Sequence, residues 1–334
     1  MAAITLPERS GFWNCNKACG SQKPQHPFES IIRKNTLPTT EGDKIKYNSN
    51  YVKKSSFVFI QEYRKSTGSN PTGILFNKYM VLLNRKLLSE GTDIHLPHCW
   101  YRRGDEVVRY SMPYLDWEHG TDKTFVSFRA GDAPNIDNND PVIKAASEYA
   151  REFIMEYGGK YGHEEVVDET YSEAPYPFQN DYRKLRESLK LSRLNNPYSN
   201  FDDYIMKLLD DVKASYPPEF RKIRPQFDMF TSVFEMALGN KASNEDLFDM
   251  TESFWFYFCY FLRLDKKCHS NISAETLETW RSILPQETGV YEQIIQNTAA
   301  AFYSEDCSDK VVKELLRARE QRLKEIDELL SELD

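Results

Sequence analysis

Two adjoining segments decide the fold class: Ile74-Leu-Phe-Asn-Lys-Tyr-Met-Val-Leu-Leu-Asn-Arg-Lys-Leu-Leu-Ser-Glu90 and Cys99-Trp-Tyr-Arg-Arg-Gly-Asp-Glu-Val-Val108. In the first segment, apolar residues recur at spacings of three and four, which predicts an amphipathic helix that ends at Gly91. In the second segment, Arg102-Arg103-Gly104-Asp105 predicts a tight turn, because glycine adopts positive φ at low cost. A helix followed closely by a β-hairpin indicates an α+β unit.

The flanking residues extend this unit in both directions. A helix is predicted from Asn50, a residue of N-cap type, to about Lys65. Strands are predicted over Ile94 to Tyr101, Glu106 to Leu115 and Thr124 to Phe128. Two helices followed by a hairpin with a basic tip have the outline of a winged-helix-like domain.

The segment Gly131-Asp-Ala-Pro-Asn-Ile-Asp-Asn-Asn-Asp140 is the predicted domain boundary, and Asp140-Pro141 is expected to cap the next helix. We therefore divide the chain into an N-terminal arm over 1–49, a winged-helix-like α+β domain over 50–131 and a helical domain over 132–334. In the last, 158–178 is expected to be an irregular connection, and no sustained strand is predicted. The helices are predicted at 141–157, 179–192, 201–215, 226–239, 244–265, 273–283, 288–304 and 309–333.

Charge is divided unequally between these parts. Residues 1–131 hold 19 Lys and Arg against 12 Asp and Glu, a net charge of +7, while residues 132–334 hold 24 against 39, a net charge of −15. The two sum to the net charge of −8 for the chain. A basic part suits contact with phosphate groups or an acidic protein, and an acidic part favours solubility or a basic partner.

The predicted C-terminal helix carries a heptad series that Arg319 interrupts. Burial of a Leu or Ile side chain contributes roughly 1.5–3 kcal/mol, so we expect this stripe to be covered. Packing on the same chain is favoured over a symmetric coiled coil, and an oligomer formed through 309–333 is the alternative. The stripe comprises Val312, Leu316, Leu323, Ile326, Leu330 and Leu333.

Composition and motifs exclude several classes of protein. The N-terminus lacks a secretion signal, so a cytoplasmic location is expected. The longest apolar run, Phe254 to Leu262, has nine residues and predicts a buried core helix and no contact with a membrane. The common hydrolase and nucleotide-binding motifs are absent. The six cysteines match no zinc-site spacing, so neither a metal site nor a cofactor is predicted.

Basic and amide side chains of the N-terminal unit are the candidates for binding nucleic acid or an acidic partner. Those on the helix 74–90 are expected to point away from its apolar face, where Asn, Lys and Arg suit contact with base edges. Those on the first helix and at the hairpin tip are expected to contact phosphates. The candidates are Lys53, Lys54, Asn77, Lys78, Asn84, Arg85, Arg102 and Arg103.

The segment 72–117, with the helix from Ile74 to Leu88 and the stretch Cys99 to Val108, resembles the Panacea-type domain of phage- and antitoxin-associated proteins. Asp105 stands where that family usually has Pro. The resemblance implies a non-catalytic regulator or adaptor of a toxin–antitoxin or phage-defence type system. This is the leading functional expectation, and the acidic helical part is expected to bind protein.

The alternative function rests on Arg263-Leu-Asp-Lys-Lys-Cys-His269, which resembles the Arg-x4–6-His motif of HEPN ribonucleases. That resemblance implies a metal-independent ribonuclease in which Arg263 stabilises the phosphate and His269 moves protons. The residue after Arg263 is Leu264, where the family prefers a polar residue. A helix end at which His269 contacts backbone carbonyls explains the same residues without catalysis.

Overall fold

The computed structural model describes residues 49–302, apart from 122, 160–161 and 193–199. The predicted N-terminal arm and the predicted helix 309–333 with its heptad stripe lie outside the described residues. Cys15, Cys19 and Cys307 lie outside them too. Cys99, Cys259 and Cys268 are buried free thiols.

The N-terminal part of the described chain is α+β, as predicted, with two helices followed by short strands. Helix α2 (Gly73–Ser89) begins after Thr72, whose hydroxyl accepts the Leu75 backbone N–H. The elements are α1 Ser49–Thr67, α2 Gly73–Ser89, β1 His98–Tyr101, β2 Gly104–Val107, β3 Leu115–His119 and β4 Thr124–Phe128.

The strands form two small antiparallel sheets. Strands β3 and β4 pair with each other, and β1 lies between β2 and β5, a two-residue strand at His269–Ser270. The single strand predicted from Glu106 to Leu115 is wrong, because β2 ends at Val107 and a 3₁₀ turn occupies Arg109–Ser111. Pro113 follows that turn and has no backbone N–H to donate to a strand ladder.

The C-terminal part is helical, as predicted, with two differences. Helix α4 (Gly162–Tyr171) lies inside the stretch predicted to be an irregular connection, and β5 was not predicted because two residues carry no periodic signal. Asp140 caps α3 as expected, since its carboxylate accepts the Val142 N–H at 2.9 Å. The helices are α3 Pro141–Tyr157, α4 Gly162–Tyr171, α5 Pro177–Ser192, α6 Phe201–Ala214, α7 Arg224–Gly239, α8 Asn244–Leu262, α9 Ala274–Ser282 and α10 Leu284–Phe302, with a 3₁₀ turn at Pro218–Ile223.

Two large clusters of buried side chains and one small one form the core. In the first, helix α2 packs against α1, α3, α4, β2 and β4, and Phe59 of α1 stacks on Tyr79 at 4.0 Å between ring centroids. In the second, α8 contacts α5, α7 and α10, and Trp255 stacks on Tyr182 at 5.3 Å. The apolar run Phe254 to Leu262 is the centre of this second cluster, as expected for a buried helix.

Over the described residues, no helix combines the length and the apolar character that crossing a membrane requires.

Candidate partner-binding surface

A buried lysine of helix α2 holds the β1–β2 turn in place. Lys78 of α2 is 1% exposed, and its ammonium group donates to the backbone carbonyls of Arg103 at 2.5 Å and Asp105 at 2.7 Å. Burial lowers the pKa of Lys78 to about 8, and the carboxylates of Glu106 and Asp105 oppose that shift. Lys78 therefore serves as an internal anchor for the turn.

The carboxylate of Asp105 also links the hairpin to helix α2. One carboxylate oxygen lies 2.7 Å from His98 Nδ1, and the other accepts from Arg85 Nη2 at 3.1 Å. Burial by itself would raise the pKa of Asp105. The charges of His98, Arg85 and Lys78 outweigh that effect, so its pKa is lowered and Asp105 is held as the anion. Arg85 also pairs with Glu173 at 3.4 Å.

The two arginines of the turn, Arg102 and Arg103, differ in their contacts and exposure. The Arg102 carbonyl accepts the indole N–H of Trp255 at 2.9 Å, and its guanidinium lies 4.0 Å from the centroid of the Phe256 ring. Arg102 thus contacts helix α8 and is half-buried. Arg103 is exposed, and its backbone N–H donates to Glu106 at 3.1 Å. Arg103 is therefore the arginine that the turn presents to solvent.

The turn between β3 and β4 presents a second cation. Lys123 is exposed, and it precedes Thr124 at the start of β4. Thr72 forms a β-bridge with Phe125, which brings the start of helix α2 alongside this turn. Asp122 lies outside the described residues.

His163 is joined to the start of helix α2, next to the turn that carries Lys123. Its Nε2 is 2.7 Å from the Thr72 hydroxyl oxygen. Burial lowers the pKa of His163, and the positive charges of Lys123 and Arg103 lower it further. We name the group formed by Thr72, Arg103, Lys123 and His163 the two-turn surface. Its exposed cations are placed to contact an anionic group.

The structure separates the predicted binding residues into buried and accessible ones. Asn77, Lys78 and Asn84 are 4%, 1% and 2% exposed, so the prediction that they form an exposed polar face is wrong. The reason is that α2 is surrounded by other elements, and Lys78 satisfies its donors internally. Their burial leaves no access to base edges.

Three further predicted residues are partly accessible but have contacts within the chain. Arg85 is held by the carboxylates described above. Lys53 lies 5.4 Å from the Tyr114 ring centroid, and Lys54 lies 5.9 Å from that of Tyr51. Their part in partner binding, like that of Arg102 and Arg103, stays a prediction.

The two residues of the ribonuclease motif lie in different surroundings. Arg263 follows α8 and is 7% exposed, with its guanidinium over the rings of Tyr101, Tyr260 and Trp280 at 4.7–5.4 Å. His269 belongs to β5, where it pairs with Cys99 in the strand register. Burial lowers the pKa of His269. The ribonuclease function stays a prediction.

Sequence reasoning did not single out Thr72, Lys123 or His163. Thr72 carried a usable signal, since a Thr before an apolar helix is an N-cap candidate. His163 carried none, because it lies in the stretch that was expected to be irregular.

Within the described ranges, no three His, Cys, Asp or Glu side chains are grouped so as to hold a metal ion. Comparisons of the chain with models of protein families, with curated proteins and with solved structures find no match.

Proposed function

We propose that this chain is a non-enzymatic regulator or adaptor that binds an acidic segment of a partner protein at the two-turn surface. One observation carries the proposal: Arg103 and Lys123 are exposed in separate turns, and the Lys123 turn is bridged to the start of α2, where Thr72 contacts His163. Two exposed cations near one another attract a short run of carboxylates and increase the rate of encounter with it.

An acidic protein fits this surface better than nucleic acid does. Tight binding to nucleic acid uses several phosphate contacts, and DNA-binding domains are commonly strongly basic. Here Lys78 donates hydrogen bonds to backbone carbonyls of the same chain and Arg85 forms an ion pair with Asp105, while Arg102 contacts helix α8. Three of the four side chains expected to contact bases, Asn77, Lys78 and Asn84, are buried. Of the eight predicted binding residues, all of which lie in the described part of the chain, only Arg103 is exposed to contact a phosphate backbone.

The proposal can be tested with two labelled probes of equal negative charge, a glutamate-rich peptide and a single-stranded oligonucleotide. We expect the full chain to bind the peptide more tightly, with an affinity that falls as salt rises. Arg103→Glu combined with Lys123→Glu replaces attraction by repulsion. We expect this double variant to lose about tenfold or more in affinity, as fluorescence anisotropy would measure.

A matched control changes the same amount of charge elsewhere. Lys207 and Lys222 are exposed in the helical part, and Lys207→Glu with Lys222→Glu should leave peptide affinity within about twofold of wild type. Equal losses in the two double variants would show only an effect of net charge. Tighter binding of the oligonucleotide, or no binding of the peptide, would refute the proposal.

A further inference from the structure

The hydrogen bond between Thr72 and His163 joins the two-turn surface to a group that can take up a proton. The Thr72 hydroxyl oxygen accepts the Leu75 backbone N–H at 3.4 Å and lies 2.7 Å from His163 Nε2, to which it donates its own hydrogen when the imidazole proton is on Nδ1. In this arrangement Nε2 is an acceptor and the imidazole is neutral. Protonation of Nε2 would reverse the direction of this hydrogen bond.

Three features of the free protein oppose protonation of His163. The ring is half-buried, and the positive charges of Lys123 and Arg103 disfavour its protonation. It is also the second residue of α4 and contacts the N-cap of α2, and the N-terminal ends of helices disfavour positive charge. An anionic group bound at Arg103 and Lys123 would offset the repulsion from both cations.

From this geometry we infer that His163 takes up a proton when the acidic partner binds at the two-turn surface, so that binding strengthens as pH falls. The inference rests on the proposed function and adds its regulation. Linkage makes the effect reciprocal: the carboxylates favour protonated His163, and protonated His163 adds a third cation that favours the carboxylates.

Other ionisable groups near the two-turn surface can also make binding depend on pH, so their contribution has to be distinguished from that of His163. Glu164 and Glu165 follow it in the exposed first turn of α4. His119 ends β3, and its Nδ1 lies 3.1 Å from the Thr124 hydroxyl, next to Lys123. His119 is a second histidine next to the same turn, so it supplies the matched control.

The test measures affinity for the glutamate-rich peptide in the full chain between pH 7.5 and 5.5, where the peptide's own carboxylates stay mostly ionised. We expect wild-type affinity to rise about threefold to tenfold over this range. His163→Gln retains an acceptor for the Thr72 hydroxyl and should remove most of the rise, while His119→Gln should keep it. NMR titration of the wild-type His163 ring should show a higher pKa with peptide bound than without.

The outcomes separate this inference from the proposed function. If the peptide binds wild type with the same affinity at every pH and the His163 pKa does not move, the inference is wrong and the proposed surface stands. If His119→Gln, and not His163→Gln, removes the pH dependence, the inference is also wrong. If the peptide binds at no pH, both proposals fail.

Discussion

At the β1–β2 turn, one glycine meets two separate requirements. Gly104 has φ of +85°, a region that residues with a Cβ rarely adopt. A Cβ built on it would lie 2.8 Å from Tyr171 Cε2 and 3.2 Å from Lys78 Nζ. The sequence predicted the turn and its positive φ, and both are confirmed. The close contact with Tyr171 depends on a helix more than sixty residues away, which no local pattern reveals.

Gly104→Ala tests how much each requirement contributes to stability. Gly91 is the control, because its φ is +83° and a Cβ there would meet nothing within 4 Å. We expect Gly91→Ala to lower the free energy of unfolding by about 1 kcal/mol, from backbone strain alone. Gly104→Ala should lower it by roughly 1–3 kcal/mol more, since Tyr171 and Lys78 must shift. Urea unfolding measures both, and equal losses would mean that the close contact is relieved at no cost.

Helix α2 shows what can be predicted at the scale of an element and what cannot. Its bounds were predicted to within one residue at each end, because spacing, the preceding turn and Gly91 are local signals. Its environment was not predicted. Polar residues such as Asn77 and Asn84 are ordinarily placed on the exposed side of a helix. Here other elements surround α2, so residues on all sides are buried.

The residues of the proposed two-turn surface were predicted only in part, for the same reason. Arg103 was found from its position in a turn, which sequence shows directly. Lys123 and His163 belong to the surface only because a sheet and a later helix approach the start of α2. Such contacts join residues far apart in sequence and need the folded arrangement.

The hydrogen bond from Trp255 to the Arg102 carbonyl fixes the hairpin to helix α8, and Trp255→Phe tests it. The variant keeps an aromatic ring against Tyr182 but leaves the carbonyl without this donor. We expect a loss of about 1–3 kcal/mol in the free energy of unfolding, together with faster amide exchange in β1 and β2. Trp117→Phe is the control, because the buried indole N–H of Trp117 has no hydrogen-bond partner. Comparable losses in both variants would mean that lost ring volume is the cause.

At the scale of the whole molecule, the net charge reverses near residue 131. The question is whether the parts on either side of that residue also unfold separately. The boundary over 131–140 stays a prediction. Strand β1, on its N-terminal side, pairs with β5 on its C-terminal side. Trp100 of β1 is 3% exposed and belongs to the core cluster of the helical part, where it meets Tyr171 at 5.3 Å between centroids. These contacts should couple the two core clusters energetically.

We therefore expect the two clusters to unfold in one cooperative transition, with equal urea midpoints for amide exchange in α2 and in α8. Trp100→Ala removes a contact that joins the parts, and Phe234→Ala removes one from inside the helical core, where Phe234 is fully buried. Each variant should lower the free energy of unfolding by about 3–5 kcal/mol. Trp100→Ala should also separate the two midpoints, while Phe234→Ala should lower both together. Separate midpoints in wild type would show instead that the parts on either side of residue 131 are independent folding units, because contacts across β1 would then be too weak to couple them.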